Sequence, residues 1–156
     1  MGSLFRKPPK PKASENVPEF REDVSLVVVG DGSVGKSTLI LSYGNDKYTD
    51  ATGTTFRDIF WNNITYNGHD VKIKIWDTAG QQEFRAMNDE VFKEAHCFII
   101  CFDLSSKITL DNAFAYWQKE LKLRGQKNTP IVLCGTKKDK RDMNLEMNKR
   151  EDQVTT

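Results

Sequence analysis

The run Gly30-Asp31-Gly32-Ser33-Val34-Gly35-Lys36-Ser37 combines glycines, a lysine and a hydroxyl at fixed spacing. The apolar stretch Val24 to Val29 precedes it, and a helix-compatible segment, Thr38 to Tyr43, follows. Strand, glycine-rich turn and helix with the spacing G-x-x-x-x-G-K-S make a phosphate-binding loop. Glycine at 30 and 35 lets the backbone turn tightly and aim successive N–H groups at phosphate oxygens. A helix starting near Lys36 adds the positive end of its dipole. In such a loop Lys36 reaches the β- and γ-phosphates, and the Ser37 hydroxyl binds Mg²⁺.

Three further segments carry matching chemistry. Asp77-Thr78-Ala79-Gly80-Gln81 follows a strand ending at Trp76. A carboxylate there holds Mg²⁺, the Gly80 N–H approaches a γ-phosphate, and Gln81 orients an attacking water. Thr52-Gly53-Thr54-Thr55-Phe56 offers a threonine to complete the Mg²⁺ shell. Thr136-Lys137-Lys138-Asp139 follows another apolar run. Asp139 can accept hydrogen bonds from the ring N–H and amino group of guanine, which adenine lacks, and the Lys137 stem can cover the base.

The elements that position these residues are visible as patterns. Val24 to Val29 reads as a strand buried on both faces of a parallel sheet. Ile59 to Tyr66 and Val71 to Trp76 flank Asn67-Gly68, a hairpin signal. Lys72 and Lys74 alternate with Val71, Ile73 and Ile75, so one face of that strand is wetter. Cys97 to Phe102 and Ile131 to Cys134 read as buried strands. Between them Leu110, Phe114, Trp117 and Leu121 recur at helical spacing, a core-packing stripe. His69 reads as solvated and His96 as structural.

Composition narrows the class. At 156 residues the chain suits one domain with a sizeable core. The 23 Lys+Arg nearly balance the 22 Asp+Glu, which gives no global case for nucleic-acid binding. No apolar run approaches a membrane span, and no signal-peptide core opens the chain. Cys97, Cys101 and Cys134 lie in apolar runs and read as buried thiols, not a disulfide or metal site. Residues 1–20, rich in Pro, Lys and Arg, read as a disordered basic arm. Residues 21–142 hold the motifs, and 143–156 form a polar tail or the start of a further segment.

Taken together, the motifs make the chain similar to the Ras-like small GTPases from Val24 to about Asp142. The resemblance implies an α/β fold of the P-loop NTPase type. Its sheet is mostly parallel with one antiparallel edge strand and helices on both faces, and the ligand sits at the carboxyl ends of the strands. It implies GTP/GDP and Mg²⁺ as ligands. The whole loop from Gly30 to Thr38, with Gly80, Thr136, Lys137 and Asp139, would hold the nucleotide. Gly32 falls where the family prefers glycine, and Tyr48 where an aromatic covers the guanine. Ser37, Asp77 and Thr55 would serve the metal, with Thr54 the alternative to Thr55. Gln81, Lys36 and Thr55 would carry catalysis. Phe56, Trp76 and Phe84 resemble the triad through which Rab proteins meet effectors, Gly80 to Asp89 looks like Ras itself, and the loop, Asn128 to Leu133, Trp117 and the Thr136-to-Asp139 box look like Rho or Rac.

The resemblance also implies what is expected after Arg141: a helix, a sixth strand, a loop contacting the guanine carbonyl and a final helix, none of them recognisable in residues 142–156. The domain therefore reads as C-terminally truncated, with Ile131 to Cys134 as an exposed apolar edge. Whether it is a fragment or a chain completed by a partner stays open. The implied function is a guanine-nucleotide switch that slowly hydrolyses GTP to GDP and phosphate in signalling or membrane trafficking. Its partners would be an effector, an exchange factor and an activating protein that supplies an arginine. The alternatives are a non-cycling binding module and, more remotely, an adenine-nucleotide kinase. The expected location is cytoplasmic or peripheral to a membrane, with no membrane attachment encoded in the chain.

Overall fold

A computed structural model of the chain describes residues 23–49, 58–78 and 89–146. In chain order the elements are β1 (Asp23–Val29), α1 (Lys36–Gly44), β2 (Asp58–Tyr66), β3 (His69–Asp77), α2 (Asp89–Glu94) and β4 (Cys97–Asp103). Next, α3 (Lys107–Asn112) passes through a π-helical turn (Ala113–Trp117) into α4 (Gln118–Arg124), followed by β5 (Ile131–Thr136) and α5 (Lys138–Glu146).

The five strands lie in the order β2-β3-β1-β4-β5. β1 runs parallel to β3 and β4, and β4 parallel to β5. β2 alone is antiparallel, paired with β3 from Asp58↔Asp77 to Tyr66↔His69. Asn67 and Gly68 turn the hairpin with φ of 50° and 81°, the left-handed pair that matches strand twist. This is the expected mixed sheet with one antiparallel edge strand.

Alternation along the strands builds a core on each side of the sheet. Val27, Val29, Phe98 and Ile100 face α2 and the α3–α4 helix, burying Phe92, Trp117 and Leu121 against them. Val28, Ile73, Ile75 and Cys101 face the other way and pack with Ile40 of α1. His96 joins the second half of the sheet to the first: its Nδ1 accepts the Ser25 N–H at 2.8 Å, and its own N–H meets the Ser25 carbonyl at 2.8 Å.

Several expectations need correction. Only Val27 to Val29 of the first strand are fully enclosed, while Val24 and Leu26 are half-buried. Among the described residues β5 is an edge strand, as the resemblance implied, so Val132 and Leu133 are 50% and 41% exposed, against the reading of that apolar run as a buried strand. Of the three thiols only Cys101 is buried; Cys97 opens its strand and Cys134 lies on the edge, both half-buried. In the helical stripe Trp117 and Leu121 are interior, but Phe114 is 50% exposed and Ala113 takes its place. The π-helical turn is the reason: its wider winding shifts the phase of the side chains relative to a 3.6-residue repeat.

Replacing Phe98 by alanine is expected to cost about 3–5 kcal/mol in urea unfolding, because the ring is fully enclosed. Leu123→Ala, at a side chain 80% exposed, is expected to stay within about 0.5 kcal/mol of the parent.

Candidate phosphate-binding site

The loop leaves β1 at Gly30, whose φ is 146°. A Cβ there would lie 2.2 Å from the Cys101 carbonyl oxygen, so no side chain fits. Ser33 (φ 58°) and Gly35 (φ 99°) then reverse the backbone into α1. Such alternation turns successive N–H groups into one concavity, the shape that suits an anion. Val34 plugs the loop into the core, and its carbonyl lies 2.5 Å from the Thr136 hydroxyl. The same hydroxyl lies 2.9 Å from the Phe102 carbonyl, so the ends of β4 and β5 brace the loop from behind.

Lys36, only 6% exposed, donates from Nζ to the carbonyls of Gly30 (2.9 Å) and Asp31 (2.8 Å). The loop is thereby drawn around a buried ammonium. Ser37 and Thr38 follow in the first turn of α1, both half-buried. The Asp31 side chain also has a structural role. Its two oxygens accept from Asn112 Nδ2 (2.7 Å) and Trp117 Nε1 (2.8 Å). It ties the loop to the α3–α4 helix. Asn112 and Trp117 are five residues apart, opposed on a regular α-helix but on one side where the winding is π-helical. A buried indole N–H requires an acceptor, and that requirement was the available signal for this clamp.

Asp77 closes β3 fully buried, in register with Val28 of β1. Thr78 Oγ1 donates to the Val28 carbonyl at 2.8 Å, holding the strand end beside the loop. A serine hydroxyl and a carboxylate are hard oxygen donors of the kind Mg²⁺ takes alongside phosphate oxygens, so Ser37 and Asp77 fit that ion.

At the far side Thr136 ends β5, Lys137 adopts φ 53°, and Asp139 lies exposed in the first turn of α5. Lys137 Nζ meets Asp103 Oδ2 at 2.8 Å. Asp103 also accepts from the Ser105 N–H (2.8 Å) and hydroxyl (2.5 Å). Burial pushes its carboxyl up, but the Lys137 ammonium and the Ser105 donors outweigh this and hold it below the ordinary value. Asp103 was missed in the sequence; its signal was an acid closing the apolar run Cys97 to Phe102. Tyr48 lies beyond α1, 78% exposed.

The fold thus gathers Gly30 to Thr38, Asp77 and the Thr136-to-Asp139 segment at the carboxyl ends of β1, β3 and β5. Trp76 packs against the core while Lys74 Nζ sits 4.2 Å over its ring. Thr54, Thr55, Phe56, Gly80, Gln81 and Phe84 lie outside the described residues.

Two outcomes follow from this geometry. Trp117→Phe keeps an aromatic ring but a smaller one and removes the donor to Asp31, and Asn112→Ala removes the other. Each should lower stability by about 1.5–3 kcal/mol, as expected for bonds to a charged group, and the double variant should cost less than the sum. Because the Asp103 carboxyl is depressed, the stabilisation it contributes is in place above the unfolded carboxylate range, about pH 4, and is lost as pH falls through its lower folded value. Acid unfolding of Asp103→Asn should lack that segment of the pH dependence.

Comparison with known proteins agrees with this geometry. The family model described as "Ras family" matches residues 25–156. A curated relative, the Rho-related protein racC of Entamoeba histolytica, is 35% identical over 119 residues. The match covers 76% of this chain and 61% of the relative, so the chain spans about three fifths of that protein's length. With its loop, sheet order and strand-end acids in place, the chain belongs to the Ras family of small GTPases.

Proposed function

We infer that the chain binds GTP and GDP with Mg²⁺ and acts as a switch, hydrolysing GTP slowly. The observation that carries this reading is the placement of the Lys36-centred loop, Asp77 and Asp139 at one end of the sheet. The backbone N–H groups of Gly30 to Ser37 would cradle the phosphates, and Lys36 would neutralise charge that develops during phosphoryl transfer. Ser37 and Asp77, with Thr55 or Thr54, would hold Mg²⁺, which supplies further charge neutralisation when bound. Gln81 would position the attacking water. Asp139 would select guanine, and Asp103 would keep the Lys137 stem in place beside the base.

Segments around Thr55 and Gly80 would order on the γ-phosphate and release after hydrolysis. Phe56, Trp76 and Phe84 would then form the effector surface. The likeness to a Rho-related protein supports the Rho side of the subfamily choice over the Rab side. The effector, exchange factor and activating protein are partners that this reading requires, and a cytoplasmic or membrane-peripheral location would accompany them.

The test is Mg²⁺-dependent binding of labelled GDP, GTP and ATP to the purified chain. Guanine-selective binding that Asp139→Asn relaxes is the expected result. Absence of binding by protein shown to be folded would refute the reading for this chain. In the hydrolysis assay Gln81→Leu should slow turnover by on the order of 10²-fold or more; an unchanged rate would remove Gln81 from the mechanism.

A further inference from the structure

Cys101 and Cys134 face each other across neighbouring strands. β4 and β5 are parallel, and these two residues are direct register partners. Both therefore project from the same face of the sheet, into the cluster with Val28 and Ile75. Adjacent strands run about 4.8 Å apart, inside the Cα separation that disulfides span. The two thiols influence each other's ionisation. Both cysteines are reduced, Cys101 is buried, and Cys134 is half-buried on the edge strand.

We propose that Cys101 and Cys134 form an oxidisable dithiol, a modification site for small hydroperoxides that closes to an intramolecular disulfide.

The two thiols have unequal parts. The hydrogen bond from Cys101 draws the Cys134 thiol down to about 7, against the opposing effect of burial. Cys101 moves the opposite way, upward, because it keeps its proton as donor and is buried. Cys134, half-buried on the edge strand while Cys101 is buried, is thus the thiol that solvent and a peroxide reach. Its thiolate attacks a peroxide oxygen, the O–O bond breaks, and the leaving oxygen takes a proton to become water or an alcohol. Cys134 is then a sulfenic acid. Cys101 sulfur attacks that sulfur, and the hydroxyl leaves with the Cys101 proton as a second water. One hydroperoxide accepts the two electrons of the new S–S bond.

Its position matters because the Cys101 carbonyl is the atom that backs Gly30, and Thr136, which braces Val34, lies two residues after Cys134. The modification therefore sits directly behind the phosphate loop. It does not depend on what the loop binds.

The experiment treats the purified chain with a few equivalents of hydrogen peroxide, quenches it, and measures intact mass and peptide linkage without reductant. The expected product has lost two hydrogens, carries a Cys101–Cys134 linkage, and returns to the starting mass with dithiothreitol. Cys97→Ser should leave this unchanged. Cys101→Ala removes the interaction that lowers the Cys134 thiol, so Cys134 should oxidise more slowly and stop at a sulfenic acid, trapped by dimedone. Cys134→Ser, altered at the half-exposed edge, should leave Cys101 reduced and open to alkylation after unfolding. Accumulation of sulfinic acid on Cys134 with Cys101 still alkylatable, or a linkage through Cys97, would overturn the proposal.

Discussion

Gly30 has no room for a side chain, because the Cys101 carbonyl occupies the place where one would stand. That contact sets the distance between β1 and β4 at the point where β1 stops, and the loop starts from there. Everything the loop does next is held by groups remote in the chain. Val34 is sunk in the core, Thr136 meets its carbonyl, and Asp31 is gripped by Asn112 and Trp117. Lys36 closes the ring from inside. A segment with three glycines loses much conformational freedom on ordering, and these tethers offset that cost before any ligand arrives. The loop is a preorganised concavity supported by β4, β5 and the α3–α4 helix.

What was legible in the sequence is what local chemistry dictates. The hairpin at Asn67-Gly68, the apolar strands and the loop spacing each depend on neighbours a few positions away, and each appears where expected. What was not legible depends on distance. The partners of Asp31 are 81 and 86 positions further on, and the anchor of Lys137 lies on another strand. A helical stripe can be counted, but one extra residue in a turn moves Phe114 outward and Ala113 inward. The exposure of Cys134 and Val132 depends on their strand being the edge of the sheet among the described residues; the apolar run Ile131 to Cys134 reads as buried by itself, and only the resemblance marked it as an edge.

The two edges of the sheet are managed in different ways. On β2 the half-exposed Trp61 lies beneath Lys72 Nζ at 4.2 Å and Lys74 Nζ at 5.5 Å. Lys74 also covers Trp76, so the outer hairpin alternates cation and ring. Charged side chains of this kind oppose edge-to-edge pairing. On β5, Val132 and Leu133 meet solvent without such cover among the described residues.

The Asp31 clamp also has an optical side. The chain contains only three tryptophans. Trp61 is half exposed and Trp76 lies beneath an ammonium, whereas Trp117 is fully enclosed and its ring nitrogen touches a carboxylate of the phosphate loop. Indole emission depends on the polarity and charge at that nitrogen. The emission of Trp117, separated from that of Trp61 and Trp76, therefore reports whether its ring nitrogen still meets the Asp31 carboxylate.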